Sequence, residues 1–124
     1  MKKSINIENI EKNKKIKKEL AKLNKIYKDI DRDKKKVAEN LIQNAAFMSV
    51  SLKEIQEAIN IKGYTEEYQN GEHQKGKKKA PEVEIYNTMI KNYTNVIKQL
   101  LDLLPKGTEI EDDGFEDFIY NRGM

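Results

Sequence analysis

The chain has 124 residues, enough for one domain with a modest core plus tails. Apolar residues make up 37% and charged residues 36%, a balance that favours helices with wide solvated faces. No run approaches the roughly 18 to 20 consecutive apolar residues that cross a bilayer, and the start lacks the apolar core of a signal peptide, so a soluble intracellular protein is expected. The absence of cysteine excludes disulfides, thiolate nucleophiles and cysteine-based zinc sites, and the single histidine, His73, cannot build a histidine-rich metal site. No cofactor is expected.

The net charge of +3 hides an uneven distribution. Residues 1–36 carry 14 basic and 6 acidic groups, a balance of +8, and residues 37–74 carry 2 and 6, or −4. Residues 75–106 carry 7 and 3, or +4, and residues 107–124 carry 1 and 6, or −5. A lysine-rich front suits phosphate neutralisation, whereas an acidic end is repelled by DNA and suits a protein partner. A solvated helix followed by a loose tail fits the same numbers.

In chain order, Ile16, Leu20, Leu23, Tyr27 and Ile30 alternate steps of four and three, predicting a first helix over residues 8–30. Its stripe is one residue wide per turn and lysines fill the rest of its surface. It can therefore dock along one seam, or act as a basic arm (residues 1–36) reaching a neighbour or DNA. Asp31 and Asp33 can cap a second helix over residues 33–48, with Val37, Leu41, Ala45 and Met48 continuing the stripe and Ile42 and Phe47 widening it. Ser51-Leu52-Lys53-Glu54 has capping-box spacing and predicts a third helix over residues 52–62, ending at Gly63 as C-cap. Two short helices joined by a turn describe a helix-turn-helix and, more often, an ordinary helical hairpin.

Residues 63–81 contain three glycines and no apolar periodicity, which predicts a long loop whose Lys75, Lys77, Lys78 and Lys79 suit phosphate contact. Pro81 fits a helix entry, and Tyr86, Ile90, Tyr93, Ile97, Leu100 and Leu104, flanked by Met89, Val96 and Leu103, predict a fourth helix over residues 82–104 that stops before Pro105. That stripe is wider than one partner helix needs, so it predicts a central core helix or subunit contacts. The fold class expected is therefore all-α, a bundle of about four helices with its core in residues 37–105. Residues 106–124 are acidic, have no helical stripe and read as a flexible tail. Phe115, Phe118, Ile119 and Tyr120 sit there among Asp112, Asp113, Glu116 and Asp117, as in peptides that fold onto a partner.

Catalytic chemistry finds no support. Gly71 to Lys78 matches the G-x-x-x-x-G-K spacing of a phosphate-binding loop, but its flanks are polar and Lys78 stands where a Ser or Thr would hold magnesium. A flexible basic loop is the better reading. His73 has no positioned nucleophile beside it, and the pairs Glu66/Glu67 and Asp112/Asp113 read as solvated charges.

Residues 86–100 (YNTMIKNYTNVIKQL) with Asp102-Leu103-Leu104-Pro105 resemble the terminase small subunits of tailed phages of Gram-positive hosts. Residues 41–48 (LIQNAAFM), the Tyr68-Gln69-Asn70-Gly71-Glu72 loop with Gly76 and Lys77, and the tail from Asp112 to Phe118 are similar to the same family, so the resemblance covers about residues 37–122. It implies a homo-oligomeric ring of helical subunits in the cytoplasm of the bacterial host. The ring would recognise viral double-stranded DNA and recruit and regulate the large subunit, which holds the ATPase and nuclease. The lysine-rich first helix has no residue-by-residue match in it.

Together these readings nominate three sets of residues. Lys14, Lys15, Lys18, Lys22, Lys34, Lys35, Lys36, Lys75, Lys77, Lys78 and Lys79 are candidates for DNA phosphates. Tyr86, Ile90, Tyr93, Ile97, Leu100 and Leu104 are candidates for oligomerisation. Asp112, Asp113, Phe115, Phe118 and Tyr120 are candidates for the large subunit. The rival is a helical oligomeric adaptor whose lysines only solubilise it. Neither reading involves a membrane.

Overall fold

A computed structural model describes residues 7–69, 71–72 and 74–108. The described chain is mostly helical: α1 covers Ile7–Tyr27, α2 Arg32–Lys62 and α3 Pro81–Leu103. Between α2 and α3 lies a hairpin of β1 (Thr65–Gln69) and β2 (Lys75–Lys79). The helical class holds, with two corrections: three helices rather than about four are found among the described residues, and a two-stranded sheet replaces the loop expected over residues 63–81.

The first correction arises at Ser51. Residues 33–48 and 52–62 form one helix of 31 residues, which removes the helix-turn-helix reading. No glycine or proline interrupts residues 32–62, and Ser49, Val50, Ser51 and Leu52 are all buried. Opening the backbone there would strand amides and carbonyls away from water, so packing overrides the capping signal. Glu54 does not serve a cap; its carboxylate accepts from the Lys12 ammonium at 2.9 Å.

The ends of the helices follow local chemistry. Asp31 is the N-cap of α2, though its side chain makes no capping hydrogen bond, and its carbonyl accepts from the amides of Lys34 and Lys35. Gly63 closes the helix at φ 88°, a conformation that glycine adopts without steric cost, and its amide donates to the Ile59 carbonyl at 2.7 Å. Pro81 occupies the first turn of α3, where a missing amide hydrogen costs nothing.

α1 and α3 both pack on α2 and both run antiparallel to it. Lys12 near the start of α1 meets Glu54 late in α2, and Gln56 donates to the Tyr86 hydroxyl at 3.1 Å. The core joins Leu23 and Tyr27 of α1, Ala38, Ile42, Ala45, Ala46 and Leu52 of α2, and Tyr93, Ile97 and Leu100 of α3. α1 is consequently docked in the common core through Leu23 and Tyr27. Alanines at three α2 positions let both neighbours approach closely. Leu52 and Leu100 have no exposed surface, and each such burial stabilises by about 1.5 to 3 kcal/mol. The seam is shifted by about one residue from the sequence expectation, leaving Val37 53% and Phe47 49% exposed.

Candidate nucleic-acid interface

Successive helical residues are rotated by about 100°. On α1 that rotation gathers Lys14, Lys15, Lys18, Lys22 and Lys25 into one arc of about 100°, opposite the seam of Ile16, Leu20, Leu23 and Tyr27. All five lysines are exposed. From Lys14 to Lys25 the arc runs about 17 Å along the axis. Lys22 lies 3.7 Å from Glu19, one turn back at the edge of the arc. Lys12 stands apart from this group. It pairs with Glu54 and its ammonium sits 4.7 Å from the Phe47 ring centroid, so it fastens α1 to α2.

The stripe continues around the α1–α2 connection. Lys28 and Lys35 border one small hollow with Asn24, Tyr27, Ala38 and Glu39. Lys35 and Lys36 are exposed and Lys34 is half-buried. Beneath them the Tyr27 hydroxyl is buried without a hydrogen-bond partner, and loss of hydration holds its proton well above the ordinary phenol range.

The hairpin lysines lie beyond the end of α2 opposite to Lys34–Lys36. They follow α2, whose ends are about 46 Å apart at 1.5 Å per residue, so Lys34–Lys36 and Lys75–Lys79 do not share one contact patch. The hairpin also tempers its own charge. Glu66 stands opposite Lys78 and Glu67 opposite Lys77, and the Lys78 ammonium is 3.3 Å from Glu66. Lys75, Lys77 and Lys79 lie on one face of the ribbon with Glu67. On the opposite face the Tyr68 ring crosses Gly76 so closely that a Cβ there would sit 2.8 Å from the Tyr68 hydroxyl. This ribbon ends the phosphate-loop resemblance, since Gly76 and Lys77 are in a strand and α3 begins only at Pro81.

The six oligomerisation candidates divide. Tyr93, Ile97 and Leu100 are buried in the subunit's own core, whereas Tyr86, Ile90 and Leu104 are half-buried against it. On the neighbouring flank of α3, Met89, Val96 and Leu103 are likewise half-buried against the core, and Ile85 is 51% exposed. Asp112, Asp113, Phe115, Phe118 and Tyr120 lie outside the described residues, as do His73 and most of the acidic tail.

Among the described residues no three His, Cys, Asp or Glu side chains converge to hold a metal ion. No described helix is long and apolar enough to cross a membrane. No protein-family model, curated protein or solved structure matches the chain.

Proposed function

We propose that this chain is a phage terminase small subunit, the DNA-recognising and regulatory component of a genome-packaging motor in the cytoplasm of a bacterial host. In this reading it forms a homo-oligomeric ring and recruits a large subunit that carries the ATPase and nuclease. The observation that carries the DNA-binding part is the α1 arc, with five exposed lysines over about 17 Å. That is one cation per roughly 4 Å, close to the axial spacing of about 3.4 Å between phosphates on one strand of duplex DNA. Lys28, Lys35 and Lys36 extend the same surface around the turn. Contacts of this kind position a backbone without reading bases, so recognition rests on DNA shape and on salt-sensitive attraction. The hairpin lysines lie about 46 Å along α2 from Lys34–Lys36 but nearer the Lys14 end of the arc, because Lys12 meets Glu54 only about 12 Å short of the end of α2.

Oligomerisation uses the flank of Ile85, Met89, Val96 and Leu103 together with Tyr86, Ile90 and Leu104, because Tyr93, Ile97 and Leu100 are already occupied within the subunit. Asp112, Asp113, Phe115, Phe118 and Tyr120 supply the large-subunit contact. The rival reading, a helical adaptor without DNA binding, draws on lysines that have structural partners, among them Lys12, Lys62 and Lys78 and also Lys22 of the arc, each beside a glutamate.

Binding to a fluorescent duplex across a salt series separates the two. A phosphate-tracking stripe gives a logarithmic affinity that falls by about 0.9 per contact for each tenfold rise in salt, and replacing Lys14, Lys18 and Lys22 with glutamine lowers that slope by about 2 to 3. Retention that is indifferent to salt and to these substitutions favours the adaptor.

A further inference from the structure

The hairpin carries two unpaired edges of opposite character. The Ala80 amide donates to the Tyr64 carbonyl at 2.9 Å, which sets the phase of the ladder. With the register Glu66↔Lys78 and Tyr68↔Gly76, those pairs exchange both backbone bonds inside the ribbon. The amides and carbonyls of Thr65, Glu67 and Gln69 on β1, and of Lys75, Lys77 and Lys79 on β2, therefore turn outward. All six residues are exposed, and no third strand lies beside them among the described residues. Open edges are templates for strand addition, and a two-stranded ribbon on its own is marginal in water.

Charge selects what can be added. Pairing β2 with β2 of another copy would set lysine against lysine, and pairing β1 with β1 would bring glutamates together; like charges opposite one another destabilise a sheet. Pairing β1 with the β2 of another copy repeats the glutamate–lysine matching already present inside the hairpin, where Glu66 meets Lys78. We propose that β1 of one subunit pairs antiparallel with β2 of the next, so that the hairpins join head to tail into a continuous antiparallel sheet. Each such contact leaves one edge open until the last subunit meets the first, so the hairpins themselves favour a closed ring over a two-fold dimer. This rests on the reading of the chain as a homo-oligomer and adds the surface through which copies join.

Amide hydrogen exchange on the full chain, at a concentration where light scattering gives its mass, tests the pairing. In an oligomer the outward amides of Thr65, Glu67, Gln69, Lys75, Lys77 and Lys79 should be protected to within about tenfold of the inward amides of Glu66, Tyr68, Gly76 and Lys78. An oligomer in which only the inward amides are protected overturns the edge pairing and leaves the ring reading standing. Protection of the outward amides on one strand alone means like-with-like pairing and also overturns it. A monomer overturns both. Lys77→Pro removes an outward donor that the hairpin does not use, so it should lower the mass while Glu66 and Lys78 stay protected; an unchanged mass with those amides still protected counts against the proposal.

Discussion

The Lys62 ammonium donates to the Glu82 carboxylate at 2.8 Å, tying the last turn of α2 to the first turn of α3 across the base of the hairpin. The hydrogen bond between them, aided by their opposite charges, raises the Lys62 pKa and lowers that of Glu82. The lysine contribution is complete below its ordinary range near 10.4 and fades as pH rises through the raised value. The glutamate contribution is complete above its ordinary range near 4.3 and fades as pH falls through the lowered value. Protection of the Ala80 amide should therefore be level near neutrality and weaken at both limits. In Glu82→Gln the acid-side loss should disappear, and an unaltered acid limb would mean that the bridge does not hold the hairpin base.

Tyr27 adds a second loss at high pH, from a different cause. Its hydroxyl is buried and unpartnered, and the side chain is only 3% exposed. Because burial raises its pKa, the unfolded chain releases the phenol proton first, and stability should decline once pH passes about 10. Tyr27→Phe removes both that decline and an unsatisfied hydroxyl, so urea unfolding at pH 7 should show unchanged or higher stability, by about 1 kcal/mol. Tyr27→Ala should cost about 3 to 5 kcal/mol through the cavity it opens. A loss above about 1 kcal/mol in the phenylalanine variant would reveal a partner for the hydroxyl.

Ser51 separates a capped helix start from a helix interior. Loss of a serine cap typically costs about 1 kcal/mol. Inside the continuous α2, Ser51→Ala replaces a buried, unpartnered hydroxyl with the best helix former, so the thermal midpoint should hold or rise. A fall of several degrees would argue that the helix breaks there after all.

Leu100 distinguishes a subunit core from a subunit contact. It is completely buried within the single chain, so Leu100→Ala should destabilise the fold by about 2 to 5 kcal/mol, read by urea unfolding. A residue used only between copies would instead lower the assembly's mass and leave the unfolding free energy of the subunit intact. Ile85→Asp on the α3 flank, 51% exposed and outside the core, is the comparison that should behave in the second way.

Periodicity made the helices legible. The steps of three and four from Ile16 to Ile30 and from Tyr86 to Leu104 mark α1 and α3 to within a few residues, and the glycine and proline boundaries at Gly63 and Pro81 are where the sequence places them. The break at Ser51 misled because a capping box needs only two residues at the right spacing, whereas continuity depends on burial by two other helices. The hairpin was legible in a different signal. Asn70-Gly71 is a strong turn dipeptide, and Glu66 and Glu67 mirror Lys78 and Lys77 about the loop it begins, but the absence of apolar alternation hides such a ribbon from a search for buried faces. Among the site residues, the α1 lysine arc could be read from helical spacing alone. That Tyr93, Ile97 and Leu100 are internal could not, because a wide stripe does not say which of its flanks meets the chain's own helices.

Both docking seams use α2, and each joins helices that are consecutive in the chain. Such a topology has low contact order, which favours rapid collapse through local encounters. During synthesis α1 can zip onto α2 as soon as the latter emerges, with Lys12 finding Glu54 before any of α3 exists, and the growing chain then needs only the hairpin's reversal to lay α3 along the exposed side. A released fragment ending near residue 64 should already resist proteolysis across α1.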